Sequence, residues 1–294
     1  MFKKPDNLPH ESLEINSKLK LFQIYKNLKY TSLKIDSYFQ VYEEIFSRYV
    51  GKKITFVEVG ILGGGSLQMW KEFFGDKARI IGIDMHPEAK KLEKDGFEIF
   101  IGSQSDENFW NNFYRKVGKI DILLDDGGHQ NKQQILTLSK SINNINDGGL
   151  IVVEDTHTSY MKKFGNPSKV SFISFAKHLI DKVNYRFLDS YKKKLKAERK
   201  IFSINFYESI VAFNINSKKT FLPTHLKNID NPVMDDTFDY GFNDNFPAIQ
   251  NTIEKKYPKL KHIPVIKKII RYLFYTKNFF IRIKDFLYIS KFFR

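Results

Sequence analysis

The middle of the chain alternates short runs of aliphatic and β-branched residues, at 54–59, 79–84, 97–101, 120–125 and 149–154, with polar spacers long enough for a helix, such as 133–142. Strands separated by helices fold as right-handed parallel βαβ units, so this spacing predicts an open, doubly wound α/β sheet. Two more runs, 201–207 and 210–215, are separated only by Glu208 and Ser209. Two residues cannot hold a crossover helix, and this last pair is therefore expected to be an antiparallel hairpin. The expectation is a seven-stranded, Rossmann-like sheet. Open α/β sheets bind ligands outside the carboxyl ends of their strands, which makes the residues just after each run the candidates for chemistry.

The flanks read differently. Residues 1–50 contain Tyr38, Val41, Tyr42, Ile45 and Phe46 at helical spacing and no strand-like run, which predicts an N-terminal helical cap. The catalytic domain is expected over 51–216, followed by an irregular linker over 217–254 that includes Pro223, Pro232 and Pro247. Twelve Lys or Arg against the single acid Asp285 fill 255–294, so eleven of the fifteen net positive charges lie in the last forty residues. In that extension Ile266, Ile269, Ile270 and Leu273 share a helical face, with Lys267, Lys268 and Arg271 beside it. Such a helix suits an anionic membrane surface, and equally the protein core or a second copy of the chain in a homo-oligomer. It is no transmembrane segment, because no uncharged stretch there approaches the ~18 residues needed to span a bilayer. Without a single cysteine, disulfides and thiolate chemistry are excluded; with no apolar run behind the first charged residues, a cytoplasmic protein is expected, peripheral to the inner membrane face if the tail binds lipid.

Two boxes hold the chemistry. Asp125-Asp126-Gly127-Gly128-His129 follows the fourth run and Glu154-Asp155 closes the fifth, so several carboxylates and an imidazole emerge at one sheet edge. Carboxylates packed that closely repel one another unless a cation lies between them, which points to a hard-metal site with a base beside it. The loop after the first run, Glu58-Val59-Gly60-Ile61-Leu62-Gly63-Gly64-Gly65-Ser66, lacks the G-x-G-x-x-G spacing of a dinucleotide site. Asp84 ends the second run, where a carboxylate can accept hydrogen bonds from both hydroxyls of a ribose.

The acid followed by Gly-x-x-x-Gly resembles the cofactor loop of class I S-adenosylmethionine methyltransferases. Together with 102–106, the Asp-Asp-Gly-Gly-His box and the Glu-Asp box, it makes residues 30–215 similar to the macrolide-sugar O-methyltransferases of the macrocin and mycinamicin type. The resemblance implies an S-adenosylmethionine site built from Glu58, Gly60, Gly64, Ser66 and Asp84, with Gln104 and Ser105 facing the adenine. It further implies Mg²⁺ held by Asp126, Glu154 and Asp155, and His129 as the base. Gly128 stands where relatives often have Ser.

Other readings stay open at this stage. His129 is alternatively a helix-start residue bonded to a carboxylate, and His157 is a rival base. Asp125 is a supporting carboxylate or a helix cap. Tyr38 and Tyr42 fit core packing better than cofactor contact. The resemblance implies a sugar acceptor, carried on a nucleotide, a polysaccharide precursor or a glycosylated metabolite; a catechol-like diol would also suit a metal that accepts two neighbouring hydroxyls. A nucleic-acid methyltransferase is favoured by charge alone and lacks an Asn/Asp-Pro-Pro-Tyr type motif, so no nucleic-acid partner is expected.

Overall fold

The computed structural model describes residues 4–5, 8–164, 168–185, 198–221, 226, 256 and 264–293. They fall into two units, Met1–Thr224 and His225–Arg294. In the first, seven strands form one sheet: β1 (Thr55–Val59), β2 (Arg79–Asp84), β3 (Glu98–Ile101), β4 (Ile120–Asp125), β5 (Ile145–Val153), β6 (Ile201–Tyr207) and β7 (Ile210–Ile215), in the order β3-β2-β1-β4-β5-β7-β6. β1 pairs in parallel with β2 and β4, while β7 runs antiparallel between β5 and β6. The doubly wound sheet with its terminal hairpin is thus the architecture that the alternation and the two-residue gap predict. The fifth strand begins at Ile145 rather than at 149, pairing with Ile120 before a register irregularity. The polar residues Asn146 and Asp147 hide that start from the hydrophobic pattern.

Both faces of the sheet are apolar, as buried parallel strands require. Successive side chains alternate between two cores: Phe56, Ile80, Ile122, Leu124, Leu150 and Val152 belong to one, and Val57, Ile81, Leu123, Ile151 and Val153 to the other. On the first face lie α1 (His10–Asn16), α2 (Lys20–Lys26), α3 (Tyr38–Phe46) and α4 (Gly65–Phe74), supplying Leu21, Phe22, Phe39, Tyr42, Phe46 and Trp70. On the second lie α5 (Glu107–Val117), α6 (Asn131–Ser141) and α7 (Phe172–Tyr185), supplying Trp110, Phe113, Leu138, Phe172 and Leu179. The N-terminal helices therefore share a core with the sheet. Trp70, with no exposed surface, centres that core, its ring centroid 5.1–5.4 Å from those of Tyr42, Phe46 and Phe56. Such edge-on and tilted contacts satisfy the ring quadrupoles while burying large apolar areas.

Strand order reverses between β1 and β4, which opens a crevice at their carboxyl ends. The expected linker beyond Lys219 lies almost wholly outside the described residues. In the second unit, α8 (Pro264–Ile289) is one 26-residue helix. The side chains of Ile266, Lys267, Ile270, Arg271 and Leu273 on its expected face lie outside the described residues. Among the described residues no helix is long and apolar enough to cross a membrane.

Candidate active site

The loops that follow β1 to β5 converge at the switch point around a cleft of about 910 Å³. Four of them are pinned to a neighbouring strand by a backbone bond continuing the ladder beyond the strands: Gly60 N–H to Ile83 O, Asp126 N–H to Val59 O, Gly102 N–H to Asp84 O and Glu154 N–H to Asp125 O, all 2.8–3.0 Å. The segment 30–35 between α2 and α3 forms a further wall. It lies so close to the glycine loop that a side-chain carbon on Gly65 would stand 2.5 Å from the carbonyl oxygen of Tyr30.

One half of the cleft is made of backbone and the carboxylate of Asp84. Gly60 sits at φ +82°, and a Cβ there would fall 2.2 Å from the Asp126 carbonyl, so both conformation and space demand glycine. Asp84 lines the cleft, its carboxylate accepting from Ile61 N–H (3.2 Å) and His86 N–H (2.9 Å). Ser66 also faces the cleft but gives its hydroxyl to Glu58, 2.6 Å away. Glu58 itself is buried beneath the loop, bonded in addition to Trp70 Nε1, and burial pushes its pKa up despite the nearby Lys34. Gly64 caps α4 in the left-handed region, against Leu92 and behind the cleft wall. Gln104 reaches the wall, yet its amide turns inward: Nε2 donates to Asp125 (3.0 Å) and Thr137 (3.2 Å), and Oε1 accepts from Gly128 N–H (2.8 Å). Ser105 stands off, its N–H bonded to Ser103 Oγ. Gln104 and Asp125 together fasten the loop after β4. Asp125 is buried, which raises its pKa, and it caps no helix.

The other half is made of charge. Asp126, His129 and Asp155 each offer a ligand atom within 4.8 Å of the others, an arrangement able to hold a metal ion. His129 Nε2 lies 3.3 Å from Asp155 Oδ2, and its buried Nδ1 has no hydrogen-bond partner among the described residues. His129 precedes α6 and lies beside a carboxylate, as its helix-start reading describes. Asp155 Oδ1 accepts from Tyr38 Oη at 2.6 Å, and Tyr38 Oη is 2.9 Å from Ser209 Oγ. His157 lines the cleft too, held against Ser209, with Nδ1 3.9 Å from Asp155.

Glu154 stands apart from that trio. Its carboxylate is buried and accepts from Tyr42 Oη and from Lys34 Nζ, which is 3.2 Å from both of its oxygens. Lys34 also lies 2.6 Å from Asp126 Oδ2 and 3.5 Å from Glu58 Oε1, with its side chain 1% exposed. Burial, the largest influence on Lys34, opposes its charge, but Asp126, Glu154 and Glu58 together hold its pKa well above the ordinary lysine value. Burial and Asp126 raise that of Glu154, with Lys34 and Tyr42 pulling the other way. The sequence pattern does not reveal Lys34, one of 48 Lys and Arg residues and 92 positions from Asp126. Nor does it reveal that Tyr38 and Tyr42, although packed in the core, place their hydroxyls on the two acids of the Glu-Asp box.

Backbone strain collects here. The non-glycine residues at positive φ among the described residues are Leu62, His129, Asp155 and Ser209. The first three line the cleft and the fourth touches Tyr38 and His157. Conformations of this kind cost on the order of 1–3 kcal/mol each and persist where surroundings impose them, most often at functional sites.

No protein-family profile matches the chain. It is 31% identical over 162 residues to the 8-demethyl-8-alpha-L-rhamnosyl tetracenomycin-C 2'-O-methyltransferase of Streptomyces olivaceus, covering 51% of this chain and 42% of that protein. Identity is 28% to the demethylmacrocin O-methyltransferase of Streptomyces fradiae and 29% to the mycinamicin VI 2''-O-methyltransferase of Micromonospora griseorubida, each over 183 residues, 58% of this chain and 46% and 45% of those proteins. Its relatives are sugar O-methyltransferases. The chain spans less than half the length of these curated relatives. Among solved structures, the methyltransferase MycE of mycinamycin biosynthesis, in complex with Mg, SAH and mycinamycin VI, superposes with a TM-score of 0.61 at 24% identity, over 72% of this chain and 57% of that one. A second MycE structure, with Mg and SAH, gives 0.62 at 23% identity over 80% and 59%. These likenesses show that the chain shares its fold with MycE.

Proposed function

We propose that this chain is an S-adenosylmethionine- and Mg²⁺-dependent O-methyltransferase acting on a sugar hydroxyl. The observation behind this reading is the meeting, in one cleft at the switch point, of a glycine-and-Asp84 half with an acid-and-imidazole half. The residues fit both groups. The first half offers close backbone approach at Gly60 and a carboxylate at Asp84 for the ribose hydroxyls. In the second, oxygen donors from Asp126 and Asp155 suit a hard divalent ion, with the Glu154 carboxylate one layer deeper. When bound, the sulfonium supplies an activated methyl and the ion makes a hydroxyl proton easier to lose.

The chain's own residues then have distinct work. Asp126, Glu154 and Asp155 supply negative charge from two adjacent strand tips. His129 lines the cleft from the loop after β4, beside Asp155, and takes the acceptor's proton. Tyr38 fixes the carboxylate next to it. The 30–35 wall covers the site and, with the strand-end loops, keeps the two reactants in line and water out. The acceptor is a sugar on a nucleotide, a polysaccharide precursor or a glycosylated metabolite, a range consistent with relatives named for rhamnosyl and olivosyl compounds. Methyl transfer to nucleotide sugars and glycosides, run beside catechols with and without EDTA, tests the reading. Turnover of catechols alone, or full activity under chelation, would refute it.

For the second unit, the proposed partner is an anionic membrane surface. On α8 the described residues Ile269, Tyr272, Phe279, Ile283 and Phe286 recur at intervals of three, four and seven, and all are exposed, as are Lys268 and Lys284 on the same helix and Lys291 just beyond its end. An aromatic stripe bordered by lysines is what an interfacial helix presents to lipid headgroups, each basic residue contributing about 1 kcal/mol. That would place the enzyme at the inner face of the cytoplasmic membrane. Flotation with phosphatidylserine vesicles should be strong at low salt and weak at high salt. A salt-independent dimer that ignores vesicles would assign the stripe to a second copy instead.

A further inference from the structure

The cation inside the carboxylate cage belongs to the chain itself. Lys34 Nζ touches one oxygen of Asp126 and both oxygens of Glu154, at 2.6 and 3.2 Å. A magnesium ion bound by those two carboxylates would sit about 2.1 Å from their oxygens, within the small volume that the ammonium fills. Two cations at so short a separation in a poorly solvated pocket repel strongly, so they cannot share it. Asp126 also belongs to the outer trio with His129 and Asp155, hence even a partly outward ion meets the same competitor.

We propose that Lys34 is a tethered competitor for the divalent ion: it fills the inner cation position of the metal-free chain, and loading of the ion drives its ammonium out of the cage. This rests on the metal reading given above. The segment bearing it is suited to such a displacement. Residues 28–35 contain neither helix nor strand, and Leu33 and Ile35 on either side of Lys34 are 49% and 41% exposed. The segment is tied at Tyr25, whose hydroxyl meets Ser32 O and the Lys34 backbone, and at Asp36 O, which accepts from Asn16 Nδ2; the Lys34 ammonium is its hold on the carboxylate side. Because the same segment walls the cleft, ion loading also resets the surface that meets the acceptor. The exchange keeps the acids neutralised throughout, a monovalent group on a leash giving way to a free divalent one.

The test is Mg²⁺ titration calorimetry on the full chain and on Lys34→Met. Removing the competitor should tighten Mg²⁺ binding at least tenfold, roughly the penalty on a site that is open a tenth of the time. Equal or weaker binding by the variant overturns the proposal while leaving the metal reading intact. Absence of binding by both proteins removes the metal reading, and this inference with it. As the variant must fold around acids that lack their partner, amide hydrogen exchange on the unaltered protein gives a second readout: added Mg²⁺ should speed exchange over 29–36 and leave β1 unchanged. Exchange over 29–36 that is unaltered or slower refutes the displacement.

Discussion

The two halves of the cleft are built on opposite principles. Around Gly60 and Asp84, the chain supplies shape: a glycine forced by its φ and by the Asp126 carbonyl, ladder bonds beyond the strand ends, and one carboxylate held by backbone N–H groups. Around Asp126, His129, Glu154 and Asp155 it supplies charge, balanced by a lysine and two tyrosines from the N-terminal region. A half made of backbone tolerates few substitutions but needs little support. A half made of charge depends on partners from several elements, because unpaired buried carboxylates are costly.

The sharpest way to break the comparison is to remove charge and leave shape alone. Asp126→Ala should lower methyl transfer by about a thousandfold, and His129→Ala by roughly 10²–10⁴-fold, the span of a lost general base. Both should still bind S-adenosylhomocysteine normally by calorimetry; lost cofactor binding would mean that the halves are not separable. Gly60→Ala should do the reverse, failing through structure: strain at positive φ and the clash with Asp126 should cost about 2–4 kcal/mol, seen as a lower Tm and lost cofactor binding. Asp84→Asn should raise KM for the methyl donor about tenfold with kcat nearly intact, the value of a charge-assisted hydrogen bond. Tyr38→Phe, which only steers Asp155, should lower kcat by about tenfold and leave the donor KM unchanged, as the loss of a ligand-orienting partner does. A large donor KM effect there would place Tyr38 in the shape half.

This division also governs what the sequence made legible. Strand ends, the hairpin and the glycine loop are local: Glu208 and Ser209 are too few for a crossover, and Gly60 follows an apolar run, so spacing alone places them. The two acidic boxes are legible because each follows its own strand. Lys34 is not, since a lone lysine in irregular chain has no period, and only the packing of α2 and α3 on the sheet brings it 120 positions along to Glu154. Tyr38 and Tyr42 are half legible: helical spacing finds their buried rings, whereas their hydroxyl partners depend on the tertiary fold. Gln104 was readable as a residue at a strand end, but not its inward turn toward Asp125, which depends on how closely Gly127 and Gly128 approach it.

Trp70 lies at a seam between the first helices and the sheet, in contact with Tyr42 and Phe46 from one side and Phe56 from the other. Anyone recombining this scaffold with a related enzyme to alter its acceptor will find no clean junction near residue 50. A chimera that exchanges the helices must exchange matching aromatic neighbours as well, or begin life with a hole in its middle.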